Sequence, residues 1–424
     1  MEDKIKNMRW TIWILAVMFY LYEYILRVFP SVIVPELMGT FHVNASVLGL
    51  ISAFYLFAYA PMQLPVGFLM DRFSARKLIT FASLICGIGA IGFGLAQSIW
   101  ILYLSRFIMG FGSSFAFLGA MYVSTHWFAE KKAALLIPLV NSLGMLGPFL
   151  GQGPFGLLAK HFGYEIPLVL LGVFGVILSV IFFYILRSEP KKMQKLEHKR
   201  PKFTTILKNS KEVFTHAQTW LNAIIALLTY LTTVAFAGFW GVPFLQRAHA
   251  FDKELAGFAI SMIFIGWIVG GPLMGYFVSK KIFKKKTLII IGSLLACLCL
   301  IPVLYIPHLN PWFTFSSLFL VGFFTSSQIF TYSLAVAHNQ PETKGTTVAF
   351  INFATFVGGC IMQPLIGLIL VYLWDGQTTQ GVPVYSLSMY HKALIGLPLS
   401  YLASFVLAFF LTEKRIHRKL PHQE

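Results

Sequence analysis

The chain has 424 residues, of which 57% are hydrophobic, 16% aromatic and only 12% charged, and its mean hydropathy is +0.74. Soluble domains carry about 25% charged residues, so this chain cannot clothe a soluble surface. A cytosolic enzyme, a disulfide-stapled secreted domain and a disordered chain are all excluded. The net charge of +17 invites a nucleic-acid reading, but the placement of the basic residues accounts for it otherwise.

A membrane-crossing helix needs about 20 mostly apolar residues. Runs of that kind are predicted over 10–37, 46–70, 78–97, 99–125, 134–159 and 165–187, then over 218–245, 255–279, 287–306, 311–336, 346–373 and 390–412. The first run follows MEDKIKNMRW and has no small-residue cleavage site, so it reads as a first membrane helix rather than a removed signal peptide. The fold class expected is all-α and integral to the membrane, with twelve spans and the lipid bilayer as solvent. Of the 33 Lys and Arg residues, 27 fall on the side of the chain termini. Only Lys160, Arg247, Lys253 and Lys392 fall on the other side, and Arg27 and Arg106 lie inside spans. This asymmetry predicts cytoplasmic termini and explains the charge without nucleic acid.

The one long loop on the basic side holds Arg187–Lys211 and separates six spans from six. The predicted organisation is therefore a six-helix half over 1–187, a basic linker over 188–217 with a short interfacial helix near 202–214, and a second half over 218–424. A weak internal repeat supports it. Asn141, Gly147, Gln152, Gly156 and Leu157 recur 211 residues later as Asn352, Gly358, Gln363, Gly367 and Leu368. Gly67 and Lys77 recur 208 later as Gly275 and Lys285, and Gly110 and Ser114 recur 212 later as Gly322 and Ser326.

An ionisable group near mid-bilayer is expensive unless paired or hydrated, so it marks function by default. Glu23 is the only acid deep in a span, and Arg27 and Arg106 are the only such bases. Tyr20, Glu23, Tyr24, Arg27 and Ser31 fall at i, i+3, i+4, i+7 and i+11, one polar stripe on an apolar helix. Glu23 is the candidate protonatable switch. Arg27 is the candidate anion ligand, because its planar fork suits a carboxylate or phosphate; the opposing reading is a structural i, i+4 pair with Glu23. Two cations against one acid favour substrates with a carboxylate, amino acids included. Tyr20, Tyr24, Arg106, Tyr230 and Gln328 complete the expected substrate set, and Thr229, Thr233, Thr331 and Tyr332 are weaker candidates. Arg106 divides evenly between substrate binding and structure. The four cysteines lie in apolar runs, so no disulfide or metal site is expected. No Walker loop is present, so ATP is not the expected driver and no cofactor is expected.

Between the second and third runs stands Gly67-Phe68-Leu69-Met70-Asp71-Arg72-Phe73-Ser74-Ala75-Arg76-Lys77. It resembles the loop signature of the major facilitator superfamily, G-x-L-x-D-r-x-G-r-k, with Ser74 where a second glycine is usual. Gly67 is read as allowing close helix approach, and Asp71 as holding Arg72, Arg76 or a helix end in a gating latch. Arg106, Gly110 and Gly112 resemble the fourth-helix motif of that family. Gly144, Gly147, Pro148 and Gly151 resemble its fifth-helix motif, with the glycines expected to pack and Pro148 to bend the helix. The resemblance covers all twelve spans and implies two six-helix halves around a central cavity lined by helices one, four, seven and ten.

The stretch Tyr22–Ser31 resembles the first helix of a bacterial uptake branch that includes phagosomal nutrient transporters and proline/betaine-like proteins. What it implies is import across a bacterial inner membrane; with Glu23 as the protonatable switch, the expected protein is a monomeric, proton-coupled importer of a small organic solute. The competing readings are a siderophore or drug carrier of the same superfamily and, in a different class, a non-transporting membrane receptor or scaffold. If the latch reading holds, Asp71→Asn lowers uptake sharply while insertion and expression stay normal; near-normal uptake at matched expression would remove it.

Overall fold

The computed structural model describes residues 2–186, 213–340, 343–379 and 381–413, leaving aside the side chains of 2–7, Phe68, Asp71, Arg72, Glu130, Lys131 and Ala134. The expected 188–217 linker, its interfacial helix and the Asp71–Arg72 latch pair therefore fall wholly or largely outside the described residues and side chains. Twelve described helices are long and apolar enough to cross a bilayer. The first six are Met8–Val32, Ala45–Gly67, Ala75–Gly94, Ile99–Trp127, Leu135–Phe162 and Glu165–Ile185. The second six are Ala217–His249, Lys253–Ser279, Lys285–Tyr305, Pro311–His338, Lys344–Tyr372 and Leu387–Ala408. Helices are obligatory here, since hydrocarbon offers no partner for a free backbone N–H or C=O. A two-stranded hairpin, Thr378–Thr379 against Val382–Pro383, sits between the last two spans.

The sequence repeat has a counterpart in the packing. At Gly110 of the fourth span, a Cβ would run into the backbone of Tyr55 in the second. At Gly322 of the tenth, it would run into the backbone of Ile263 in the eighth. The same close crossing is built twice, which is what small residues permit where no hydrophobic drive brings helices together. Gly112 approaches the Ala82 carbonyl and the Cys86 sulfur in the third span. Gly144, Gly147 and Gly151 turn one face of the fifth span onto Tyr20, Leu21, Tyr24, Ile25 and Val28 of the first.

Gly67 departs from the expectation. No described atom lies within 4 Å of where its Cβ would stand, and the same holds at its repeat mate Gly275. Both sit at the span ends on the side of the termini, where no described neighbour presses on them. Nearby, Arg76 donates to the Phe183 carbonyl at the end of the sixth span and stacks 4.7 Å from the Phe183 ring.

Breaks in the helices have local causes. The fifth span divides at Met145 and at Gly153. Pro148 lies four residues after Gly144, whose carbonyl its ring would crowd, and Pro154 opens the last segment. The seventh span runs as α-helix to Leu231, as π-helix over Thr232–Trp240 and again as α-helix over Gly241–His249. The tenth carries a 3-10 turn at Ser326–Ile329.

On the side away from the termini the two halves are tied together. Lys253 pairs with Glu36, and Lys160 with Glu254 at 2.8 Å. The Ala45 amide, at the start of the second span, donates to the Tyr385 hydroxyl at 3.0 Å. Gly257 packs on the Gln152 backbone and Gly49 on that of Gln363. The twin glycine crossings give a test. Gly110→Val and Gly322→Val should each destabilise the detergent-purified protein by about 1–3 kcal/mol or more, the cost of overpacking. Gly67→Ala and Gly275→Ala should leave the unfolding temperature unchanged.

Candidate functional site

The first span carries its polar stripe into the middle of the molecule. Glu23 is fully buried and Arg27 nearly so, at 7% exposure. One helical turn apart, they meet: Arg27 Nη2 donates to Glu23 Oε1 at 3.0 Å and Oε2 at 2.9 Å. The Tyr55 hydroxyl donates to Oε2 at 2.7 Å from the second span. A single guanidinium nitrogen thus straddles the carboxylate. The other two nitrogens, Nε and Nη1, are buried without a hydrogen-bond partner among the described residues.

Aromatic rings surround the guanidinium. Its carbon lies 4.2 Å from the ring centre of Tyr24, 4.3 Å from Tyr59, 4.9 Å from Phe356 and 5.5 Å from Tyr55. Desolvated cation–π contacts are worth about 2 kcal/mol or more, and they offset part of the cost of burying the charge. Phe356 belongs to the eleventh span, so the cage draws on both halves. Across the same divide Tyr24 and Tyr230 hydroxyls stand 3.5 Å apart; within the second half Trp267 Nε1 donates to Thr233 Oγ1 at 3.3 Å.

Arg106 sits beside this centre but bonds differently. Nη1 donates to the Leu26 carbonyl at 2.8 Å and Nη2 to the Arg27 carbonyl at 3.2 Å, while Nε donates to the Ile51 carbonyl at 3.3 Å. Its carbon lies 4.6 Å from the Tyr55 ring centre. The guanidinium binds the backbones of the first and second spans to the fourth.

A cavity opens at the Arg27 cage. Tyr24, Arg27 and Val28 line it from the first span, Ser52 and Leu56 from the second, and Arg106 from the fourth. Tyr230, Thr233, Val234 and Gly238 face it from the seventh, Phe264 from the eighth, and Phe356 and Gln363 from the eleventh. Its free space is about 10 Å³, room for about one water, so this state is closed around the centre.

Of the residues singled out from sequence, Tyr24, Arg27, Arg106, Tyr230 and Thr233 converge on this cavity, with Glu23 behind Arg27. Tyr20 does not line it; it packs on Tyr24 and Phe117. Gln328 lies elsewhere, donating to Thr355 Oγ1 at 3.2 Å, and Tyr332 donates to Asn352. The expected contribution of the tenth span is taken instead by the second, eighth and eleventh, because the 3-10 turn and its neighbours bond within their own half. Tyr55 and Tyr59 were missed. Ser52, Tyr55, Tyr59 and Gln63 stand at i, i+3, i+7 and i+11 of the second span, a polar stripe with the same signature as that of the first.

Comparison with known proteins places this architecture. A sequence profile of the Major Facilitator Superfamily matches residues 12–363. A probable sulfoacetate transporter of Cupriavidus necator is 24% identical over 67% of this chain and 68% of its own length. The membrane sensor protein UhpC of Escherichia coli is 22% identical over 86% of each chain. A bacterial homolog of the human lysosomal transporter Spinster, solved inward-facing and unoccupied, superposes with a TM-score of 0.70 at 19% identity over 95% of each chain.

The buried pair makes a stability prediction. Glu23→Ala alone leaves Arg27 uncompensated and should cost about 3–5 kcal/mol, whereas Glu23→Leu with Arg27→Met should recover most of it. Unfolding of the purified variants measures both, and equal damage from the single and double changes would refute the coupling.

Proposed function

The chain belongs to the major facilitator superfamily, a family of membrane transporters rather than enzymes, and we propose that it is a proton-coupled importer of a small organic acid, an amino acid or other carboxylate. The observation that carries this reading is the pair of buried, unpartnered donors on Arg27, Nε and Nη1, in the wall of the central cavity. A guanidinium with one nitrogen on Glu23 and the rest of its fork free suits a carboxylate. The likeness to a probable sulfoacetate transporter supports an acidic cargo.

Glu23 supplies the coupling. It is the acid that neutralises Arg27, and both it and an incoming carboxylate draw on the same guanidinium. Protonation of Glu23 removes its charge from Arg27 and leaves the guanidinium's charge to the substrate bound at its free nitrogens; release of the proton restores the internal pair and expels the anion. Arg106, tied to backbone carbonyls, holds the first, second and fourth spans in register beside the site. The basic residues on the side of the termini support cytoplasmic ends in a bacterial inner membrane, with a single chain forming the whole pathway.

A sensor is the second reading, favoured by the likeness to UhpC over most of both chains. Counterflow of labelled carboxylates and amino acids into proteoliposomes separates the two, since a sensor binds without exchanging. For an exchanged acid, Arg27→Lys should weaken binding by roughly 1.5–3 kcal/mol, about tenfold to over a hundredfold, and should leave an analogue without the acid group unaffected. Glu23→Gln should abolish uphill accumulation driven by a pH gradient while sparing exchange. Accumulation that survives in the Gln variant would show that Glu23 is not the carrier.

A further inference from the structure

Arg27 is not the only residue with unspent polarity in the cavity. Gln363 faces it from the eleventh span, and its amide is held in one sense. Its Nε2 donates to the Val234 carbonyl at 2.8 Å; a carbonyl only accepts, so the nitrogen must lie there and Oε1 must point away from it. Val234 lies in the π-helical stretch of the seventh span, whose carbonyls bond i→i+5, and its carbonyl accepts from Gln363 on its second lone pair. The Gln363 backbone is fixed as well, its carbonyl accepting from Trp240 Nε1 at 2.9 Å. Oε1 is left buried with no described partner, in a residue that lines the cavity. Buried acceptors are rarely left unused.

The cavity therefore offers two donors on the first span and an oriented acceptor on the eleventh, one from each half of the protein. We propose that Gln363 is a specificity-determining residue that accepts a hydrogen bond from a donor on the substrate, so that the favoured class is a carboxylate that also carries an ammonium or hydroxyl group. Simple carboxylates satisfy Arg27 and leave Gln363 unpaired. Among donors, the aromatic faces of Tyr230, Phe264 and Phe356 favour an ammonium, which selects amino acids. The inference rests on the anion reading of Arg27. Gln152, the repeat mate of Gln363, provides an internal control. Its Nε2 donates to the Ala237 carbonyl of the same π-helical stretch at 2.6 Å and its Oε1 is likewise unpartnered, but it does not line the cavity.

The test uses the full chain purified in detergent and reads the ligand-induced rise in unfolding temperature. The probes are hexanoate, 2-aminohexanoate, 6-aminohexanoate, 6-hydroxyhexanoate and hexylamine, which share a chain length and differ in acid and donor. At least one donor-bearing acid should bind wild type and Gln152→Leu about tenfold more tightly than hexanoate, the loss expected from one missing hydrogen bond. Gln363→Leu should reduce that acid to the level of hexanoate. The proposal is overturned if hexanoate binds wild type as tightly as every donor-bearing acid, a comparison that needs no variant to fold. It is overturned equally if Gln363→Leu keeps the preference. Hexylamine binding as tightly as the acids, or no acid binding at all, defeats instead the anion reading of Arg27 on which the inference stands.

Discussion

A carboxylate and a guanidinium held away from water must be compensated where they stand, and the Glu23–Arg27 pair imposes that condition on everything around it. Their mutual attraction alone offsets desolvation only with good geometry and further hydrogen bonds. Tyr55 supplies one such bond to Glu23. Tyr24, Tyr59 and Phe356 supply aromatic faces to Arg27. Arg106 adds a second positive charge but spends its donors on the carbonyls of the first and second spans, which fixes the helix carrying the pair. The remaining deficit is the part of the Arg27 fork without a partner among the described residues, and Arg27 lines the cavity beside Tyr24, Tyr230 and Phe356.

The two halves use the same packing device but unequal backbones. Gly110 on Tyr55 and Gly322 on Ile263 are equivalent crossings, so each half repeats the same close helix contact. The seventh span breaks the equivalence with its π-helical stretch. Both repeat-related glutamines donate into that stretch, Gln152 from the first half and Gln363 from the second. The bond from Gln152 to Ala237 crosses between the halves, while that from Gln363 to Val234 stays within the second. The ion pairs of Lys253 with Glu36 and Lys160 with Glu254 add ties between the halves on the side away from the termini. The halves are also joined by glycine packing, Gly257 on Gln152 and Gly49 on Gln363, so the ties between them are apolar as well as polar.

Much of the architecture was legible in the amino-acid order because lipid is a demanding solvent. Runs of about 20 apolar residues can do little else than span, so twelve spans and their approximate limits follow from hydropathy. The rarity of deep charges singled out Glu23, Arg27 and Arg106 for the same reason, and the helical spacing of Glu23 and Arg27 already put them within reach of each other. What periodicity could not supply was which helix faces which. Tyr55, Tyr59, Phe356 and Gln363 read as ordinary aromatic or amide residues of apolar helices until the second and eleventh spans are brought beside the first. Gln328, a member of the expected substrate set, and the weaker candidate Tyr332 bond within their own half. Gly67 shows the converse, a motif position without a described neighbour to pack on. Local rules fix the period and cost of each helix; the partners of a buried charge or a buried amide stand on other spans, from Tyr55 in the next helix to Phe356 in the eleventh, and only the packed helices decide them.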